Sequence, residues 1–455
     1  MSKTYRPYEP NQMLLMPPSL LEWLPSNHMV HVLREVLEII DLSPITSTYE
    51  AEERGYPPYH PKVMTGILLY GYCHGITSSR KLAKHCQEDV AYRVLSANNQ
   101  PDFRTISAFR QRHLAALPHL FAEILQLCQK AGMVSFGHVS LDGTKIKANA
   151  SKHKAMSYAR MKTEITRLEE EIASLLKRAE RTDADEDKQY GTDERGDELP
   201  EELARHETRL ARILQAKKEL EEEAKQQKDE PKDPPPASKP GARIKTEVNP
   251  KTGKRIVSPD AQRNFTDPES RIMPYQGTYV QGYNPQLLVD SKRQVIVATA
   301  LTNCPNDKRL LSYMLTRLPR KPKVLTADAG YDVAAHEKTL RKSKINAYIA
   351  VAREKHGNDT DTPSVRGRPP KNLSFKQRMA RKVRTKKGRT IYARRKVIAE
   401  PAIGQIKHAM GFRQFSLRGI WKAEAEWFLV SAAHNFRKLF KELLTKPKLW
   451  QVITT

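Results

Sequence analysis

The order of apolar patterns along the chain predicts a mixed α/β protein with a separate helical N-terminal part and a helical insertion. Three observations lead there. From about 12 to 132 apolar side chains recur at helical spacing. Residues 157–228 carry two heptad seams. From 275 to 350 short β-type runs alternate with helical ones, and strands separated by crossover helices pair in parallel.

In the N-terminal part, helices are expected at 29–40, 60–74, 78–86, 104–113 and 116–131. Leu117, Leu120, Ile124 and Leu127 share one face of the last, and Ser78-Ser79 and Thr105 supply helix starts. Short basic helices of this kind suit a helix-turn-helix-like DNA binder as well as a plain scaffold. A strand follows at 138–142. The insertion then sets Met161, Ile165, Leu168, Ile172, Leu175 and Ala179 on one helix. Leu203, His206, Leu210, Ile213, Lys217, Leu220 and Ala224 lie on a second. The acidic connector DADEDKQYGTDERGDELP joins them, so an antiparallel coiled-coil hairpin is expected. A proline-rich linker occupies 229–242.

Strands come next at 278–290, 294–301, 323–327 and 347–352, with helices at 306–318 and 333–343 between the later ones. The pair 278–290 and 294–301 reads as an antiparallel hairpin. Helical segments at 391–410 and 421–444 close the chain. Phe412, Phe415, Trp421, Trp427 and Phe428 read as core of these last helices, and His434-Asn435 as a packing feature. With 138–142 the strands make a mixed five-stranded sheet with helices on its faces, the RNase H-like arrangement.

Charge narrows the partner. Of 455 residues, 39% are hydrophobic and 29% charged, with a formal net charge of +26 and a pI of about 9.8. A balance this basic points to a polyanion. Residues 161–230 hold 14 basic and 22 acidic side chains, a net of −8, which leaves +34 for the remainder. The insertion is therefore read as a protein-contact element rather than the main DNA surface. From Arg366 to Lys396 there are 14 Lys/Arg and no Asp/Glu, expected to form a basic loop that grips phosphates. Within it Arg366-Gly367-Arg368-Pro369 looks like an AT-hook core, whose arginines would enter a narrow minor groove. No apolar run approaches the roughly 18 residues that a membrane span requires. The start, MSKTYRPYEP, lacks the apolar stretch of a secretory signal. Cys73, Cys86, Cys128 and Cys304 are scattered, which argues against a disulfide framework or zinc site and fits a reducing cytosol.

Three carboxylates fall where such a sheet could gather them. Asp142 closes the first strand, Asp328 closes the fourth, and Glu400 lies in the helical region after the fifth. Phosphodiester chemistry uses two Mg²⁺ ions about 3.5–4 Å apart. Mg²⁺ takes hard oxygen ligands and keeps several waters, so a few carboxylates suffice. Clustered without a cation, they would resist ionisation. Each acid alone has a bland reading: Asp328 beside Ala329-Gly330 could form a turn, and Glu400 could be a surface glutamate. Asp332 reads as a helix cap. Pro401 requires that the helix at Glu400 either starts there or is kinked.

The strings SLDGTKIKANAS, NFTDPESRIM, GYNPQ, TADAGYD and YARRKVIAEPAIGQIKHAMGFR resemble the DDE transposases of bacterial insertion sequences. So do YHPKVMTGILLYGYCHGITSSRKLAKHC and PDFRTISAFRQRH nearer the N-terminus, and the resemblance covers nearly the whole chain outside the insertion and linker. It implies that Asp142, Asp328 and Glu400 hold Mg²⁺, with Mn²⁺ able to substitute. It also implies DNA contacts from Tyr392, Arg395 and Lys407. Lys407 follows Glu400 by seven residues, hence on one helical face. Arg395 precedes Glu400 by five where some relatives have four, so Lys396 competes for the phosphate-contacting part. The expected domains are 1–132 for DNA binding, 133–156 with 243–455 for catalysis, 157–228 as the insertion and 229–242 as the linker. The expected function is binding of the element's terminal inverted repeats, by a homodimer or larger assembly, followed by strand cleavage and transfer to target DNA. The expected setting is the bacterial cytoplasm, on the nucleoid, with no membrane partner. A non-catalytic DNA-binding derivative and a structure-selective nuclease are the alternatives.

Overall fold

The computed structural model describes residues 19–50, 57–190, 201–226, 241, 244–249, 255–351, 365 and 367–454, with side chains at 178–190 and 201–203 outside the description. Five strands build the central sheet: β1 (His138–Gly143), β2 (Thr278–Asp290), β3 (Ile296–Thr302), β4 (Val324–Ala327) and β5 (Asn346–Ile349). Their order is β5-β4-β1-β2-β3. β1 runs parallel to β4, and β4 to β5, whereas β2 is antiparallel to both β1 and β3. The connections explain the directions. β2 and β3 are joined by a tight turn, which imposes antiparallel pairing. The β3–β4 and β4–β5 links carry helices Leu310–Thr316 and Glu337–Ser343, which let the chain return parallel. Short strands Ile146–Lys147 and Arg271–Tyr275 widen the sheet along the first half of β2. The mixed sheet and its flanking helices match the expectation, although the two crossover helices are shorter than anticipated.

Helices α1 (Pro61–Cys73) and α2 (Leu117–Lys130) belong to the N-terminal part. α3 (Tyr158–Tyr190) and α4 (Glu201–Gln226) form the insertion, and α5 (Arg395–Gly404) and α6 (Ile420–Thr445) follow the sheet. Every residue of α1 from Met64 to Cys73 is buried, as an all-apolar helix must be. α6 is what it packs against: α6 contacts α1, α2 and β3, so the N-terminal helices and the sheet share one apolar core. A buried polar chain crosses this junction. Arg110 Nη1 donates to Tyr72 Oη at 3.1 Å, and Tyr72 Oη donates to Glu426 Oε1 at 2.7 Å. Glu426 Oε2 accepts the backbone N–H groups of Ser416 and Leu417. Asn435 completes the unpaired side of β3, bonding both N and O of Ile296 at 2.8 Å. His434 is buried and its pKa is pushed down to about 3 by burial, so it stays a neutral packing group.

The insertion has its own small core of Met161, Ile165, Leu168, Ile213, Ala216, Leu220 and Ala224. Tyr158 bonds Glu221, Arg209 pairs with Glu164 and His206 with Glu171, so α3 and α4 run antiparallel. Ala216 fills the seam where Lys217 was expected; the ammonium stays at the edge because burying it would cost more than the methyl group gains. At the base, Arg263 lies between Glu219 at 2.7 Å and Glu223 at 2.5 Å. The connector between the helices and all of the proline-rich linker but Gly241 lie outside the described residues.

Three further expectations need correction. The basic stretch is not a loop from Phe375 onward but two helices, Phe375–Arg384 and Lys386–Ala393. A capping box of Ser374 and Gln377 starts the first, and Met379 buries its inner side. Trp421 is not core: it is 57% exposed at the start of α6, one face away from Trp427 and Phe428, which are buried. Helices Ser43–Glu50 and Val90–Leu95 were not anticipated. The second is a single short run with Val90 and Val94 in it and is started by Asp89, whose carboxylate caps Ala91 and Tyr92. Among the described residues no helix is long and apolar enough to cross a membrane.

Candidate active site

Parallel pairing of β1 and β4 sets Leu141 opposite Ala327. Asp142, the next residue of β1, and Asp328, the first residue after β4, are therefore set side by side at the C-terminal edge of this strand pair. Gly143 N donates to Asp142 Oδ1 and Gly330 N to Asp328 Oδ1, both at 2.9 Å. Asp332 caps the following turn at Ala334 N, as expected.

Glu400 arrives on α5, which packs across β1 and β2. Pro401 lies inside this helix rather than at its start. The bond it cannot make is replaced, because Val397 O accepts Gln294 Nε2 at 2.9 Å. α5 then continues as a π turn, Gln405–Ala409, so the simple two-turn spacing from Glu400 to Lys407 is broken. The π turn carries Lys407 to the sheet edge, where Nζ donates to Thr144 Oγ1, to Lys145 O at 3.1 Å and to Tyr275 Oη at 3.3 Å.

Arg395 joins the acids. Its Nη1 donates to Asp142 Oδ2 at 3.1 Å and its Nη2 to Glu400 Oε1 at 3.0 Å. Asp142 is largely buried, and burial pushes its pKa up to about 7. Arg395 opposes the rise, whereas Asp328 and Glu400 add to it. Asp142 thus feels the charge of both other acids. Among the described residues, however, no three His, Cys, Asp or Glu side chains stand in metal-ligating geometry. Lys396, one residue from Arg395, is exposed on the outer face of α5. Tyr392 is half-buried and acts electrostatically on Arg395. Arg368 is exposed, and Arg366 lies outside the described residues.

A fourth acid borders the site. Asp307 Oδ1 accepts Asn284 Nδ2 at 2.6 Å and Gln286 Nε2 at 2.8 Å, with Lys145 Nζ 3.6 Å away. Tyr331 donates to Gln286 Oε1 and completes this network. None of these five residues was assigned a role from sequence. The available signal was the polar pair Asn284 and Gln286 at alternate positions of the strand, just before its apolar run Leu287–Val289. Gly330 separates the two acidic groups: a methyl group there would stand 3.0 Å from Asp328 Oδ1 and 3.5 Å from Asp307 Oδ2. Gly330→Ala is expected to slow DNA cleavage by about 10²-fold through displacement of Asp328, with the melting temperature nearly unchanged. A cleavage rate within twofold of wild type would show that Asp328 need not hold this position.

Comparison with known families defines the class: the protein is a transposase. Residues 18–112 match the family described as Transposase domain (DUF772), and residues 248–436 match the family described as Transposase DDE domain. Its role is in DNA transposition. The two matches together take up more than half of the chain, and the protein belongs to the DDE transposases of insertion sequences. No curated protein and no solved structure matches the chain.

Proposed function

We propose that the protein binds the inverted-repeat ends of its own insertion sequence, cleaves a DNA strand at each end and joins the freed 3′-hydroxyl to target DNA. One observation carries this reading: the Arg395 guanidinium bridges Asp142 and Glu400, and Asp328, which follows Ala327 on the neighbouring parallel strand, adds to the negative charge that Asp142 feels. The strand order β5-β4-β1-β2-β3 supports an RNase H-like catalytic core of 133–156 and 243–455, with 1–132 as the DNA-binding part. The antiparallel α3–α4 pair supports a coiled-coil hairpin with a role in protein contact.

The donor set fits a divalent metal. It offers hard carboxylate oxygens, and the place already holds a cationic side chain between Asp142 and Glu400. Asp142, Asp328 and Glu400 would hold Mg²⁺, with Mn²⁺ able to substitute. When bound, the metal supplies a lowered pKa for the attacking oxygen and charge stabilisation for the leaving one. The chain's own groups do the rest. Arg395, freed from its carboxylates, clamps a phosphate with two parallel N–H bonds. Lys407, fixed by Thr144 and Tyr275, and Tyr392 hold the adjoining backbone, and Lys396 and Arg368 add phosphate contacts from exposed positions. In cleavage, a water oxygen bonds to phosphorus and the 3′-oxygen leaves as a hydroxyl. In transfer, that hydroxyl bonds to a target phosphorus and displaces the target's own 3′-oxygen.

The test is strand transfer of a labelled element end by the purified protein in Mg²⁺ and in EDTA. Cleaved and joined products in Mg²⁺ alone support the proposal. Cleavage without joining would make the protein a nuclease, and binding without either product would make it a DNA-coating protein.

A further inference from the structure

We propose that Lys145 is a phosphate-binding residue of the reaction, aimed at the DNA strand by Asp307. The proposal rests on the transposase chemistry above and adds a residue to it.

Lys145 sits three residues after Asp142, in the bend between β1 and strand Ile146–Lys147. Its backbone is held on both sides: Thr144 N donates to Pro285 O at 2.9 Å, and Lys145 O accepts Lys407 Nζ. Its side chain is only 13% exposed. Lysine is rarely buried to that extent unless paired. Here the pairing is loose, because 3.6 Å to Asp307 Oδ1 exceeds the ordinary length of an N–H···O bond. The same oxygen already accepts two amide N–H groups, from Asn284 and Gln286. Asp307 is therefore anchored by β2, whereas the ammonium beside it retains donor capacity.

The charges are arranged in two parallel sets. Arg395 serves Asp142 and Glu400; Lys145 pairs with Asp307 and also feels Asp328. A packing role would be filled as well by methionine, at lower desolvation cost. What lysine adds is a compact charge on a flexible stem, suited to a phosphate oxygen. A divalent cation held by Asp328 would add positive charge near the ammonium and favour its turning towards an anion. The nearest incoming anion is then the DNA phosphate.

The experiment compares wild type and Lys145→Met on two duplexes carrying the element's own end, in Ca²⁺ so that binding is read without cleavage. One duplex is natural, and the other has a neutral methylphosphonate at the scissile position. Wild type is expected to bind the neutral duplex about tenfold more weakly, the loss of one charge-assisted contact. Lys145→Met should show a clearly smaller difference, the remainder coming from Arg395 and the bound cation, and Lys145→Arg should keep most of the wild-type discrimination. Asp307→Asn, which leaves the lysine unaimed, should fall between. Cleavage of the natural duplex by Lys145→Met in Mg²⁺ should drop about 100-fold at an unchanged melting temperature. Equal discrimination by wild type and Lys145→Met overturns the role of Lys145. Full discrimination by Asp307→Asn overturns the aiming role of Asp307. Wild type that fails to cleave in Mg²⁺ at all sinks the transposase chemistry itself, a result distinct from either.

Discussion

Asp142→Asn should bind element-end DNA as wild type does and cleave it at least about a thousandfold more slowly in Mg²⁺. Asparagine keeps the shape and the Gly143 contact but removes the anion that a divalent cation needs. The same substitution has an opposite and separable effect on stability. Burial raises the folded-state pKa of Asp142 from 3.8 to about 7, so ionising it costs free energy in the folded, metal-free protein. That cost is absent below pH 3.8, grows as pH rises, and is fully present above about 7. In EDTA, Asp142→Asn should therefore melt above wild type at pH 8, and the two should converge as pH falls. Divalent-cation binding by wild type should strengthen with pH up to about 7 and then level, because the proton competes for the same oxygens. Equal melting of the two proteins at pH 8 would mean that Asp142 is not the strained acid the geometry describes.

Glu426→Ala should cost about 3–5 kcal/mol, the usual loss when one member of a buried charged pair is removed. Glu426 is fully buried and Arg110 nearly so, with Tyr72 between them. Alanine leaves the guanidinium without its carboxylate and frees the Ser416 and Leu417 N–H groups. These contacts tie the N-terminal helices to the loop that follows Lys407, so DNA cleavage should fall along with the melting temperature. Glu426→Gln keeps one acceptor oxygen for the Ser416 and Leu417 N–H groups, turns its amide N–H towards Tyr72 Oη, and should lose roughly half as much. A scan in which alanine melts within 1 °C of wild type, against about 3–5 °C expected for a chain of 455 residues, would contradict this account.

What was legible in the sequence depended on whether the controlling physics was local. β1, β2, β3 and β4 read correctly because apolar runs bounded by turn residues signal buried strands. Parallel pairing then followed from the crossover helices, and it alone places the residues after Leu141 and Ala327 together. The basic segment misread as a loop has one helix held by a capping box and one buried methionine and a second started by Thr385, amid many charges, a weak apolar signal. Pro401 left a helix start and a kink both open because its remedy, Gln294, lies on the turn between β2 and β3, more than a hundred residues away. Trp421 was assigned to the core by residue type, whereas its position on the first turn of α6 turns it to solvent. Arg395 and Lys396 could not be separated by spacing; the path of α5 gives only Arg395 access to Asp142 and Glu400. Asp307 and Lys145 stayed hidden because nothing local marks an acid that becomes important only when Asn284 and Gln286 hold it.

The central claim is that Asp142, Asp328 and Glu400 together bind divalent cations. Mn²⁺ titration followed by the electron paramagnetic resonance signal of the free ion tests it without DNA or turnover. Wild type should deplete the free signal at neutral pH, and Asp142→Asn, Asp328→Asn and Glu400→Gln should each bind at least about tenfold more weakly. Depletion by all three variants equal to that of wild type would contradict the account.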